Sequence, residues 1–388
     1  MKSPIVNFKF YTKSLLISLS MFFVTMIGII LYLDPLQIFH QAPFGKDVFL
    51  RDEVKQNAGI INNYEFDSII LGSSDLENTS SKQASELLNS DFVNLSISAS
   101  LLSDRAVILD YTLKNKEIKK VIMSLDGFAE FGKYKRLEGF FYLYNNSDLD
   151  DIKVYSNPKY FLVAGCQIAR KYVGFCNNKL KNIEDRLEWF TNKIYSATFG
   201  GIDNWLKNSD SDQISHTLKF IIENDKCIKN KNCKSKRGSY GFIYAKESFD
   251  NYILKYAENN LQTSFHLVFP PYSRLRYAMW SQANPEMFEA YIEAIKYIVG
   301  KAESMENIFI YGFDHLEFVN DISNYKDAGH YHQDMNSMML RDIRDARNTL
   351  TNNTVDFYIE KVKLSAKKYD ISPIANQIKE YLDSKNKD

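Results

Sequence analysis

Neither sign of charge is in excess in this chain: 48 lysines and arginines meet 48 aspartates and glutamates over 388 residues. That balance argues against nucleic acid as the main partner, which favours a strongly basic face. Cysteine is scarce, with only Cys166, Cys176, Cys227 and Cys233. Neither neighbouring pair has the C-x-x-C spacing of a zinc site. No internal repeat or low-complexity block appears, which sets repeat architectures aside. At 45% hydrophobic, the chain can bury one large core or two moderate ones.

One long uncharged stretch is present. Leu15 to Leu33 gives nineteen mostly apolar positions, close to the roughly 20 that cross a bilayer as a helix. Lys2, Lys9 and Lys13 precede it, with no acidic residue before Asp34. The positive-inside bias then places the amino terminus in the cytoplasm and everything after Asp34 outside it. A cleaved signal peptide is the rival, but its apolar region is usually shorter, and no A-x-A site precedes Asp34-Pro35. The four cysteines all follow the span, which suits two disulfides in an exported domain. Cys166 with Cys176 and Cys227 with Cys233 is the simplest of three connectivities. The expected organisation is a cytoplasmic tail at 1–13, an anchor at 14–34, a catalytic domain at 35–348 and a charged helical tail of surface helices at 349–388.

Five short apolar runs predict parallel strands: 67–73, 91–98, 119–125, 264–270 and 306–312. Most lack polar alternation, as strands buried on both faces do, and helical patterns separate them as in βαβ units. Helices are expected over 80–89, 103–115 and 285–302, the last with Pro285 in its first turn. Met335, Met338, Met339, Ile343 and Ala346 mark a closing helix. The stretch from about 128 to 255 breaks the alternation and is too long for a loop. It reads as a mostly helical insertion, with Leu187, Trp189, Phe190, Ile194 and Tyr195 in one helix. The fold class is therefore α/β, a three-layer flavodoxin-like five-stranded parallel sheet behind one transmembrane helix.

In such sheets ligands bind at the carboxyl ends of the strands. Ser74 stands just past the first run, after Gly72 and Ser73, and is the candidate nucleophile, with Ser73 as fallback. Asp327 lies three residues before His330, a spacing that lets the acid accept the imidazole N–H and fix the ring. His332 and His315 lack that spacing. A metal held by His315, Asp327, His330, His332 and Asp334 is an alternative that matches no compact ligand pattern. The Asn94–Ala99 segment closes the second strand, where Ala99 N–H, Ser74 N–H and the Asn94 amide are candidate oxyanion donors. Pro270-Pro271-Tyr272-Ser273 reaches the same edge, with Arg274 and Arg276 available to an anionic or hydroxyl-rich ligand. A rigid loop with solvated arginines is the plainer reading. No cofactor is called for.

Ile69-Ile-Leu-Gly-Ser-Ser74, Asn94-Leu-Ser-Ile-Ser-Ala99 and Asp327-Ala-Gly-His330 resemble, in order, the first, second and last blocks of the SGNH (GDSL-type) hydrolase superfamily. The likeness is to its membrane-anchored members associated with bacterial surface-polysaccharide O-acetylation. Leu33-Asp-Pro-Leu-Gln-Ile-Phe39 resembles the post-anchor region of such proteins. Two departures stand out: Ala99 replaces a glycine whose N–H serves the oxyanion hole, and Phe128 falls where the third block has its asparagine. The resemblance implies a Ser74–His330–Asp327 triad forming an acyl-enzyme, either an O-acetylesterase or an O-acetyltransferase. It places the catalytic domain on the periplasmic side of a bacterial inner membrane. The substrate would be a capsule, lipopolysaccharide or other glycan, with the acetyl donor delivered by a separate membrane acyltransferase. A non-catalytic glycan-binding or assembly protein on the same fold is the alternative.

Overall fold

Branched and aromatic residues dominate the five apolar runs, and each becomes a strand that is mostly buried. The computed structural model describes residues 8–41, 52–126, 137–145, 147, 150–169, 197–233 and 241–385. Two compact units divide the chain: Met1–Glu65 with Tyr142–Ile183, and Phe66–Phe141 with Glu184–Asp388.

In the first unit, helix α1 (Phe8–Leu33) is long and apolar enough to span a membrane. The chain turns at Asp34, whose buried carboxylate accepts the N–H groups of Ile38, Phe39 and His40 at 3.0, 2.7 and 2.9 Å. The Tyr155 hydroxyl also donates to it. These bonds hold the turn that follows the helix by satisfying backbone donors that have no helical partner. Helix α2 (Glu53–Asn63) belongs to the same unit.

The second unit carries the sheet. Strand β1 (Ser68–Leu71) leads into a short helix, α3 (Ser74–Glu77), and then α4 (Ser81–Leu88), capped by the Ser80 hydroxyl. Strand β2 (Phe92–Asn94), helix α5 (Leu102–Asn115) and strand β3 (Lys120–Ser124) follow. Helix α6 (Lys159–Ala169) returns to the first unit. Helices α7 (Ile202–Lys207), α8 (Asp212–Asn230) and α9 (Gly241–Phe249) lead to strand β4 (Ser264–Phe269). Helices α10 (Arg274–Ala283) and α11 (Pro285–Ala302) precede strand β5 (Ile308–Gly312). Helix α12 (Gln333–Arg344), strand β6 (Thr349–Leu350) and helices α13 (Val355–Lys368) and α14 (Ser372–Lys385) complete the chain.

The strand order is β2-β1-β3-β4-β5-β6, with the first five parallel and β6 antiparallel to β5. The expectation of five parallel strands is thereby corrected to a mixed six-stranded sheet. Two residues are too few to carry a periodic signal, so β6 left no mark in the sequence. Ile70, Ile122, Val268 and Tyr311 face one core with Leu218, Ile221 and Met335. Ile69, Leu71, Val121, Leu267 and Ile310, on the opposite face, are buried as well.

The charged tail is also more than a set of surface helices. It supplies β6, and Ile371, Ala375 and Ile378 enter the same core as Trp205 and Leu206 of the insertion. Cys227 is bonded to Cys233. Cys166 is disulfide-bonded too, and Cys176 lies outside the described residues, as does the helix expected near 187–195.

Because β2 and β3 lie on opposite sides of β1, the chain switches direction at β1, the place where open α/β sheets form a crevice. Gly72 fixes the turn there. A Cβ on it would sit 2.7 Å from both Leu76 Cβ and Ser124 Oγ. Gly72→Ala should therefore cost about 1–3 kcal/mol by overpacking, measurable as a lower urea midpoint with an unchanged slope.

Candidate active site

Ser74 opens α3, and its neighbour Ser73 is the helix cap, accepting the Asp75 N–H at 3.4 Å. That cap spends the Ser73 oxygen and leaves Ser74, half-buried, facing the strand ends. The Ser74 hydroxyl lies 2.8 Å from His330 Nε2. On the far side of the ring, His330 Nδ1 lies 2.7 Å from Asp327 Oδ2 and 2.9 Å from Oδ1. A serine and a histidine 256 positions apart are thus brought into one hydrogen-bonded row.

Asp327 is held by more than the imidazole. Its Oδ1 accepts the backbone N–H groups of Gly329 and His330, each at 2.9 Å, and its Oδ2 accepts from the Gln213 amide at 2.5 Å. Burial alone would raise this carboxyl, but the facing His330 and its hydrogen bonds hold it well below the usual carboxylate range. An ionised acid so placed fixes the ring with Nδ1–H toward Asp327 and a lone pair toward Ser74.

The loop carrying Asp327 and His330 is gripped from several sides. A bridge between Tyr325 and Tyr331 closes it, and Lys326 N–H donates to the His330 carbonyl at 3.0 Å. Ser273 Oγ donates to the Ala328 carbonyl at 2.5 Å, and Tyr325 Oη donates to the Pro271 carbonyl at 2.7 Å. Trp205 Nε1 donates to the Tyr325 carbonyl at 3.2 Å, and Tyr331 Oη to the Asp75 carbonyl at 2.9 Å. The Pro270–Ser273 segment therefore braces the histidine loop.

Around this row the expected oxyanion donors divide. Asn94 Nδ2 donates to the carbonyls of Leu76 and Thr79 at 2.8 and 2.9 Å, and its Oδ1 accepts from Ser96 N–H. Both amide protons are committed to the backbone, which takes Asn94 out of the donor set. The turn that follows is seated on Gly72: Ile97 N–H donates to the Gly72 carbonyl at 2.9 Å, and Gly72 N–H to Ser96 Oγ at 2.9 Å. Ala99 adopts a φ of +57°, the left-handed conformation that a glycine would take without penalty. Among the described residues, neither the Ala99 nor the Ser74 N–H has a hydrogen-bond partner. Phe128 lies outside the described residues.

Arg274 is not available to a ligand. It is buried, with Nε donating to Asn320 Oδ1 at 3.0 Å and Nη2 to the Asp314 carbonyl at 2.9 Å. Arg276 is half-buried, its guanidinium 4.3 Å from the Tyr272 ring centre and 4.9 Å from that of Trp280. His332 caps α12 and packs edge-on against Phe199. His315 packs against Tyr358. Among the described residues, no three His, Cys, Asp or Glu side chains gather as a metal site would require.

Two charged groups escaped the sequence reading. Arg105, fully buried, donates to Asp126 Oδ1 at 2.9 Å and to the Ser124 carbonyl at 2.6 Å, tying off the end of β3. Asp75, also buried, is pushed up to about 7 by burial and then by the charge of Asp126, with His330 and Arg276 acting the other way. Nothing in local spacing sets either apart from an ordinary helix residue. No family model matches the chain, and no curated protein matches it.

Two outcomes follow from this geometry. Ala99→Gly should stabilise the protein by up to about 1 kcal/mol, because relief of left-handed strain outweighs the entropy lost at glycine. That sign reverses the usual one for Ala→Gly and is read from urea unfolding. Asp75 titrates near about 3.9 when unfolded and at about 7 when folded. Between those values the folded state binds more protons, so the group's contribution to stability falls as pH rises and then levels off. Asp75→Asn should therefore gain on wild type between about pH 4 and about pH 7 in urea unfolding. Asp314, raised to about 6, is not among the charges that act on Asp75 and cancels in that difference.

Proposed function

We propose that this chain is an SGNH-type serine acyl-transfer enzyme acting on the O-acyl groups of a cell-surface glycan. One observation carries the reading: Ser74 Oγ, His330 and Asp327 form a continuous hydrogen-bonded row at the carboxyl edge of the sheet. The parallel strands in the order 2-1-3-4-5 support it, since that is the flavodoxin-like order.

In this mechanism, the Ser74 hydroxyl attacks an ester carbonyl while its proton passes to His330 Nε2. Asp327 keeps the ring oriented and stabilises the imidazolium. The oxyanion meets the N–H groups of Ser74 and Ala99, both fixed before the substrate arrives. His330 then returns the proton to the departing alkoxide, leaving an acyl group on Ser74. Water completes a hydrolase, and a sugar hydroxyl completes a transferase.

The apolar helix α1, preceded by lysines and followed by disulfide-bonded cysteines, supports a periplasmic catalytic part anchored in a bacterial inner membrane. In that location an acetyl donor made in the cytoplasm has to be carried across by a separate membrane protein.

The test is labelling of the full chain in detergent with a fluorophosphonate, alongside turnover of p-nitrophenyl acetate. Ser74→Ala should abolish labelling, and His330→Ala should slow it by about 10³-fold or more. Wild-type protein that neither labels nor turns over ester would favour a glycan-binding role. Mass analysis of an acetylated glycan then separates the two enzymes, acetyl gain meaning transfer and acetyl loss meaning hydrolysis.

A further inference from the structure

The triad as described draws on two segments of the chain, and a third reaches it. Gln213 sits in the first turn of α8, within the 128–255 insertion, and its Nε2 donates to Asp327 Oδ2 at 2.5 Å. This oxygen is also the closer of the two to His330 Nδ1. We propose that Gln213 is a positioning residue, a fourth member of the row that holds the Asp327 carboxylate toward His330. The inference rests on the acyl-transfer reading above.

Three features of the structure favour this role. Asp327 Oδ1 is already fixed by two backbone N–H groups, so Gln213 provides the side-chain donor that fixes the other oxygen. Helix α8 is itself a rigid support: Ile214, Leu218 and Ile221 are buried in the main core, and Ser211 caps the first turn through Ile214 N–H. A donor carried on a packed helix holds its partner within a narrower range than one on a mobile loop. Finally, Trp205 of α7 binds the Tyr325 carbonyl in the same histidine loop. The insertion thus bonds that loop at Tyr325 as well as at Asp327.

The electrostatic consequence has a definite sign. An amide donor disperses part of the Asp327 charge. Without it the carboxylate faces His330 with its full charge and more rotational freedom, so the imidazolium gains stability while the productive ring orientation is populated less. Gln213→Leu should lower the plateau rate of fluorophosphonate labelling roughly tenfold and move the acid midpoint of the rate to higher pH. Gln213→Met keeps the side-chain length without a donor, so its rate and midpoint should move as those of Gln213→Leu do.

Lys219→Ala, exposed on the same helix, should change neither quantity. A purely structural role for Gln213 would lower thermal stability and labelling together and leave the midpoint fixed, which overturns the proposal. Variants that match wild type in both rate and midpoint overturn it as well. Failure of the underlying reading looks different, because wild-type protein itself would then remain unlabelled.

Discussion

The His330 ring is held between Ser74 and Asp327, and the bonds that hold it there organise the carboxyl edge of this sheet. His330 and Asp327 lie in a loop of irregular backbone, a poor place for precision unless neighbours pin it. Here they do so in number. The Tyr325–Tyr331 bridge closes the loop, Ser273 and Pro271 hold it from the end of β4, and Trp205 and Gln213 hold it from the insertion. Tyr331 reaches across to the Asp75 carbonyl, so the residue after His330 is bonded to the residue after Ser74.

The cost of this arrangement shows in the charges. Asp75, Asp126 and Asp327 gather near one sheet edge, and each is handled differently. Asp126 is neutralised by Arg105 in a fully buried pair, Asp327 is stabilised by His330 and a shell of N–H donors, and Asp75 is pushed toward its protonated form. Buried carboxylates left without such compensation would cost several kcal/mol apiece. Active sites commonly accept such local penalties in exchange for preset geometry. Ala99 is a second instance, with backbone strain stored in the turn that presents its N–H.

Much of the sheet was legible in the sequence because parallel strands buried on both faces leave unbroken apolar runs. All five of those runs became strands within a few residues of the expected bounds. The pairing of Ser74 with His330 was legible for a related reason: strand-end residues converge at one edge whatever their separation in the chain. Asn94 shows the limit of that logic. It lies in the right segment, yet its amide turns to the backbone of the α3 turn, and only three-dimensional hydrogen-bond accounting shows this. Gln213 was not legible at all, since its partner is 114 residues away and no spacing rule links a helix-start glutamine to a distant acid. The buried face of the charged tail was hidden by its lysines, which crowd the solvent side of helices whose other side reaches the core.

The bond between Cys227 and Cys233 closes a small ring at the far end of α8, whose first turn carries Gln213. Opening so short a ring forfeits only about 2 kcal/mol of chain-entropy restraint, too little to unfold a core of this size. Opening this ring would therefore leave the core folded while one helix has lost its covalent clasp. The redox history of a preparation becomes a property to record alongside its concentration.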